Sequence, residues 1–229
     1  MAVLSVGVST PYPLKESPYS SHALLLDEFP PQGEGRRVLD IGCGYGFLGE
    51  FLARRGFAVT GVDRHGTAHS PDVEFIPADL DSGLPATGER FDFILCADVL
   101  EHLREPERML RECRRRLKPG GVLIASLPNS AHAYVRWNVL LGRFPKHDRG
   151  LFDRTHLHFF SWQGWKELLE TAGLAIAGVR VSGVPVRLAF PQHGDSWLMR
   201  AAERLSYESA RAWKSLFAYQ FIVRAHGRE

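Results

Sequence analysis

The chain has 229 residues, is 45% hydrophobic and 24% charged, and carries a formal net charge of +2. That length supports one sizeable core rather than two full domains, and the near-neutral balance supplies no field that would by itself select nucleic acid or a membrane. Cys43, Cys96 and Cys113 are odd in number and at no metal-ligand spacing, so free thiols in a reducing compartment are expected. No run of about 18 apolar residues is present, and Met1 to Val8 has no basic lead of a signal peptide. The expectation is a cytoplasmic protein of one domain, without a transmembrane segment.

Residues 9–18, rich in Pro, Ser and Tyr, read as an extended lead-in. A short helix over Tyr19 to Phe29 is stopped by Pro30-Pro31. Arg36 to Ile41 is a strand running into glycines, and Phe47 to Arg55 a helix ended by Gly56. Phe57 to Val62 is a strand ending at Asp63, and Val73 to Pro77 a short one. Phe91 to Ala97 is an apolar strand suited to a sheet covered on both faces. A helix over Glu105 to Leu117 is closed by Lys118-Pro119-Gly120-Gly121, and Val122 to Leu127 is the next strand. Trp162 to Ala172 is a helix stopped by Gly173, followed by a strand over Leu174 to Val181. Alternation of this kind predicts a doubly wound α/β sheet with a parallel core. The tail departs from it: residues 195–214 read as an amphipathic helix, and Phe217 to Val223 as a late strand suited to antiparallel insertion at the sheet edge.

The most informative segment is Val38-Leu39-Asp40-Ile41-Gly42-Cys43-Gly44-Tyr45-Gly46. A strand delivers the chain to alternating glycines and a helix follows; glycine there permits positive φ and close approach of a ligand to the backbone. The dinucleotide fingerprint needs a third-position glycine where this chain has Phe47. Asp40, two residues before the first glycine, favours a cationic ligand and repels a pyrophosphate. Asp63 ends the next strand about 20 residues on, where an acid bonds ribose hydroxyls. These features describe a site for a nucleoside with a positive, phosphate-free arm, the chemistry of S-adenosylmethionine. Asp79, after the third strand, is placed to accept from the adenine amino group with Leu80 covering the ring; a turn residue or helix cap is the alternative reading. Cys96-Ala97-Asp98 ends the fourth strand at the carboxyl edge, where such sheets bind ligands. The candidate cofactor set is therefore Asp40, Gly42, Cys43, Gly44, Gly46, Asp63, Arg64, Asp79, Leu80 and Ala97.

On these motifs, with FDFILCADVLEHL (91–103) and LKPGGVLIASLPN (117–129), the chain resembles the class I S-adenosylmethionine-dependent methyltransferases over roughly residues 19–181. The resemblance implies a Rossmann-like seven-stranded sheet of order 3-2-1-4-5-7-6 with strand 7 antiparallel. It also implies that the glycine loop and Asp40 hold the methionine part, Asp63 the ribose, and Asp79-Leu80 the adenine. One departure is the short segment between Asp63 and Val73, which contains Pro71 and leaves the usual third helix shortened or missing.

Methyl transfer is an in-line displacement at the sulfonium, so the enzyme must align the acceptor and, for a hydroxyl, deal with its proton. Asp98-Val99-Leu100-Glu101-His102, if a helical turn, points Asp98, Glu101 and His102 the same way. His156, in Asp153-Arg154-Thr155-His156-Leu157-His158, lies on the same sheet edge and is the candidate general base, with a structural loop histidine as the alternative. Glu101, His102 and His156 are the candidate catalytic residues. The expectation is a metal-free site, with Asp98, Glu101, His102 and His156 the set that would hold a divalent ion if one bound. This pattern resembles quinone-biosynthesis O-methyltransferases and small-RNA 2′-O-methyltransferases, which tend to have Glu where this chain has Asp98. The stretch Asp153 to Phe160, with the tail Leu216 to Phe221, resembles bacterial methyltransferases of polysaccharide or glycolipid assembly.

The long segment 129–160, holding Tyr134, Trp137 and Phe144, reads either as a lid over the acceptor or as a helical hairpin packed on the sheet. The leading expectation is O-methylation of a small molecule or glycoconjugate; N- or C-methylation and a non-catalytic S-adenosylmethionine-binding protein are the alternatives. No nucleic-acid partner is expected, because the fourth strand does not end in the Asn/Asp-Pro-Pro-aromatic motif of base-amino methyltransferases. The 195–214 helix is expected to pack on its own domain or on the twin subunit of a homodimer, with a lipid surface as the alternative.

Overall fold

The computed structural model describes residues 17–64, 71–86, 88–189 and 196–228. Seven strands form one sheet in the order β3-β2-β1-β4-β5-β7-β6. They are β1 (Arg37–Ile41), β2 (Ala58–Asp63), β3 (Val73–Pro77), β4 (Phe91–Ala97), β5 (Leu117–Pro128), β6 (Leu174–Ser182) and β7 (Gln220–Gly227). β1 to β5 pair in parallel, whereas β7 lies antiparallel between β5 and β6. The strand order and the reversed last strand agree with the sequence reading.

Helices α1 (Ser21–Asp27) and α2 (Phe47–Arg54) cover one face, burying Leu24, Leu25, Leu48 and Leu52 against Val38, Leu95 and Ile124. Helices α3 (Pro106–Arg116) and α5 (Trp162–Thr171) cover the other, where Leu110, Trp165 and Leu169 meet Ile41, Ile94 and Leu123. This double cover is why β4 and β5 read as continuous apolar runs rather than alternating ones. Serines start the helices where the sequence stops being extended: Ser20 accepts from Ala23 N–H, and Ser161 from Gly164 N–H. Trp165 adds a polar anchor to its apolar mass, its indole N–H donating 2.9 Å to the Pro128 carbonyl at the end of β5.

Three boundaries differ from the sequence reading. Leu117 belongs to β5, not to the helix before it, because it pairs with Phe91; the Lys118–Gly121 stretch bulges between that pair and Phe93↔Val122. The single tail helix is two, α7 (Trp197–Ala212) and α8 (Lys214–Phe217), broken at Trp213. The last strand starts at Gln220 rather than Phe217, which ends α8, and runs on to Gly227. A four-residue α6 (Val186–Ala189) follows β6, and α4 (Ala133–Leu140) occupies the long segment after β5. Residues 65–70, where the third helix was in question, and most of the lead-in over 9–18 lie outside the described residues.

Candidate active site

The carboxyl ends of β1, β2 and β4 converge on the glycine loop. Gly42 has φ 72° and no room for a side chain: an added Cβ would stand 2.5 Å from Val99 Cγ2. Gly44 has φ 51° and open space around its Cα, so backbone conformation alone requires glycine there and the loop leaves a cradle. The Gly44 N–H donates 2.8 Å to Asp63 Oδ2, which ties the loop to the end of β2. Cys43 turns its side chain onto Gly61, where a Cβ would come within 2.8 Å of the sulfur; burial, then Asp40 and Asp63, push its thiol well above the usual range.

Asp40 is buried, and its Oδ1 has no hydrogen-bond partner among the described residues. Burial first, and then the neighbouring Asp63, raise its carboxyl to about 7. An orphaned carboxylate oxygen beside a second acid and an open glycine cradle fits a ligand that brings a cation, as the methionine arm of S-adenosylmethionine does. Asp79 lies at the β3 end, where its carboxylate accepts from Arg64 at 2.6 Å and from Asp81 N–H at 3.1 Å. Asp79 thus caps the 3-10 turn Leu80–Ser82, the alternative that the sequence left open, and the Arg64 hydrogen bond holds it below its usual range. Leu80 and Ala97 are both half-buried at this edge.

Beyond β4 the structure corrects one expectation. Asp98 has φ 52°, a left-handed conformation that breaks any helical turn running on from it. Only Leu100–His102 forms a 3-10 turn, so Asp98 does not stack with Glu101 and His102. Instead it faces β5 and β7: its N–H donates to Ser126 Oγ at 2.9 Å, and Oδ1 accepts from the Ser126 hydroxyl and from Gln220 Nε2.

Glu101, His102 and His156 do come together, with one ligand atom from each within 4.8 Å of the others. The loop carrying His156 is docked on the turn by Leu157 N–H, which donates 2.9 Å to the Glu101 carbonyl, and by His158 Nε2, 2.9 Å from the Leu103 carbonyl. His158 is therefore a structural clamp. His156 Nε2 stands 3.8 Å from Glu101 Oε1, and the rings of His102 and His156 are 4.8 Å apart and steeply inclined. Burial first, and then His102, lower His156 to about 4. An imidazole held this far below its usual range is uncharged near neutrality and a weaker base than a free one.

Two residues without a role in the sequence reading set the tautomer of His102. Thr155 Oγ1 lies 2.6 Å from Asp153 Oδ1, to which it must donate, because a carboxylate only accepts. The hydroxyl therefore accepts from His102 Nδ1 at 3.0 Å, and the Thr155 carbonyl accepts from the same nitrogen at 3.2 Å. Nδ1 therefore carries a proton, and in the neutral ring the lone pair is on Nε2. The Asp-x-Thr spacing, with Thr155 N–H also donating to Asp153 at 2.8 Å, is the sequence signal for this turn.

His156, a His102 whose neutral form offers Nε2, and the Glu101 carboxylate form a donor set suited to a divalent cation, with coordination positions left for a substrate oxygen. From this cluster a file of aromatic rings leads outward: His156 to Phe159 at 6.0 Å, Phe159 to Phe144 at 5.3 Å, and Phe144 to Phe152 at 5.0 Å. Phe152 packs with Val135 and Leu151 in a small separate core. The segment is thus a helix with its own core at the acceptor edge, leaving Trp137 61% and Leu140 77% exposed.

Residues 17–178 match the family model described as a methyltransferase domain. The ubiquinone biosynthesis O-methyltransferase of Coxiella burnetii is 34% identical over 159 residues, covering 62% of this chain and 68% of the relative. An S-adenosylmethionine-dependent methyltransferase from Mesorhizobium loti has a similar structure (TM-score 0.59, 19% identity, 89% of this chain and 95% of that one). So does the magnesium protoporphyrin IX methyltransferase of Synechocystis with bound S-adenosylhomocysteine (TM-score 0.57, 20% identity, 91% and 80%).

Proposed function

The chain belongs to the methyltransferase-domain family, as an S-adenosylmethionine-dependent methyltransferase, and on that premise we propose that it methylates a hydroxyl group of a small, largely apolar acceptor of the quinone-precursor type. The observation that carries this reading is the cluster of Glu101, His102 and His156 at the carboxyl edge. Amines need little help in losing a proton, whereas a hydroxyl does. The named function of the Coxiella relative, an O-methyltransferase of ubiquinone biosynthesis, supports the same class. The file from His156 through Phe159 and Phe144 suits a planar ring.

In this reading the glycine loop and Asp40 hold the methionine arm and Asp63 the ribose. The acceptor hydroxyl releases its proton to solvent; transfer then breaks the sulfonium–methyl bond, forms the oxygen–methyl bond, and leaves the neutral thioether of S-adenosylhomocysteine. Glu101, with Oε1 beside His156, supplies the negative charge that favours a positive centre at the acceptor oxygen. His102 through Nε2 and His156, with Glu101, would hold a divalent cation, which would lower the pKa of a bound hydroxyl. Asp153 and Thr155 keep His102 in the tautomer this requires.

The test is transfer of a labelled methyl group to a catechol-type acceptor, with and without a chelator, in the native chain and in Glu101→Gln. A methyl ether, loss of turnover on chelation with recovery on adding back Mg²⁺, Mn²⁺ or Zn²⁺, and a turnover loss of about 100-fold in the variant are expected. Product methylated only at nitrogen or carbon overturns O-methylation, and turnover indifferent to chelation removes the cation.

A further inference from the structure

We propose that the outward face of α7 and α8 docks this enzyme on an anionic phospholipid bilayer. The orientation of α7 is fixed on its inner side. Glu203 is buried, accepting from Ser17 Oγ at 2.8 Å and from Arg187 Nε at 3.0 Å. Tyr207 stacks on Tyr19 at 4.8 Å, and Val184 N–H donates 2.9 Å to Ser206 Oγ. Gly183 runs so close that a Cβ there would lie 2.8 Å from the Tyr207 nitrogen. The helix therefore spends its polar and small side chains inward and turns its large apolar ones out.

Trp197, Leu198, Ala201 and Leu205 follow one another at helical spacing along the opposite side, and Trp197, Leu198 and Leu205 are 69%, 55% and 70% exposed. Trp213, 59% exposed at the break, and Phe217, 37% exposed at the end of α8, add two further accessible aromatic rings. Arg200, Arg204 and Arg211, spaced by four and seven residues, run along one flank of α7. Glu208 is the one exposed acid among the described residues of α7 and α8, and it is paired with Arg211 at 3.0 Å. The match to the methyltransferase-domain family ends at residue 178, so this insertion between β6 and β7 lies outside what the family model covers.

The charge selects the occupant. A cationic flank beside a convex Trp/Leu stripe fits a surface that is negative at its rim and apolar beneath, with tryptophans at headgroup level and leucines deeper. A second copy in a twofold contact would bring one arginine row against another. The insertion also sits at the acceptor edge: Asn129 Nδ2, at the end of β5, donates 2.8 Å to the Ala218 carbonyl just beyond α8. A bilayer held there lies beside the mouth of the acceptor site, which suits an acceptor with a hydrocarbon tail. That last clause rests on the proposed function; the docking itself does not.

The experiment is co-sedimentation of the full chain with vesicles of phosphatidylcholine alone and with about one-third phosphatidylglycerol. Two double variants, Arg200→Glu/Arg204→Glu and Trp197→Ser/Leu205→Ser, are compared with the native chain. Retention on the anionic vesicles, release by about 0.5 M salt, and a loss of about tenfold or more in partitioning for each variant are expected. Unchanged thermal unfolding, and unchanged turnover of a water-soluble catechol, separate docking from folding and from chemistry. No retention, or retention that neither variant weakens, overturns the proposal. A native dimer that Trp197→Ser/Leu205→Ser converts to monomers, with no vesicle binding, gives the face to a second copy. Absence of catechol methylation with vesicle binding intact would count against the proposed function alone.

Discussion

Cofactor affinity should depend on pH through one buried carboxylate. Asp40 is raised from 3.8 to about 7, first by burial and second by Asp63. At about 1.4 kcal/mol per unit, ionising it in the unliganded protein costs on the order of 4 kcal/mol. The native state holds the proton in a window where the unfolded chain has lost it. Stability of the unliganded protein therefore falls as pH rises from about 4 to about 7. A bound ammonium and sulfonium favour the ionised form and bring the pKa back down. Binding then releases a proton below pH about 7, and affinity falls as the solution is acidified. Between about pH 8 and 5.5 the expected loss is about 30-fold, near 2 kcal/mol. Calorimetric titration with S-adenosylmethionine, in buffers of different ionisation enthalpy, reads both the affinity and the proton. Asp40→Asn removes the titration, which separates it from the histidines of the acceptor edge. Affinity that is flat with pH in the native chain, or a pH dependence that survives in Asp40→Asn, refutes the reasoning.

Asp63→Ala removes the proposed ribose partner and the acceptor of the Gly44 N–H, so S-adenosylmethionine affinity should drop about tenfold or more by the same titration. It should also lower the pKa of Asp40, since its second perturber is gone. His156→Ala should reduce turnover about 10- to 100-fold while cofactor affinity stays within about twofold; normal turnover would leave this histidine a packing role only. Thr155→Val removes the hydroxyl that receives the His102 Nδ1 proton, and turnover should fall about 10-fold or more, with Thr155→Ser restoring it. Nitrogen chemical shifts of His102 should report partial loss of the Nδ1-protonated tautomer in the valine variant, which keeps only the carbonyl acceptor, and its recovery in the serine variant.

The geometry of the glycine loop was legible because each element there ends on a residue with few alternatives. Gly42 cannot carry a side chain beside Val99, and Asp63 stands where β2 meets the loop. The acceptor half was less so, for physical reasons that can be named. Pro119-Gly120-Gly121 reads as a loop, yet the strand passes through it as a bulge, because pairing of Leu117 with Phe91 outweighs local turn chemistry. Helix α4 is apolar on several sides, with Val135 its one buried residue, so no periodic face announces it. Phe217 looked like the start of a strand by its apolar character; it ends α8, which Asn129 holds through backbone carbonyls that no side-chain pattern reveals.

Asp98 explains why the two halves meet as they do. A helical turn from the end of β4 would have stacked Asp98 on Glu101 and His102, crowding two carboxylates against two imidazoles. The left-handed residue costs on the order of 1–2 kcal/mol, which two hydrogen bonds to a charged oxygen, at about 1.5–3 kcal/mol each, offset. With that oxygen committed to Ser126 and Gln220, the chain leaves β4 at an angle that sends Glu101 inward and leaves its carbonyl to receive Leu157 N–H. The same residue thus fastens β4 to β5 and β7 and lies outside the ligand group of Glu101, His102 and His156, to which Glu101 supplies the carboxylate, while Asp98 and Asp153 act on His156 through their charge. In the proposed cation site one carboxylate and two imidazole nitrogens would leave a bound divalent ion part of its positive charge, which would lower the pKa of a coordinated hydroxyl.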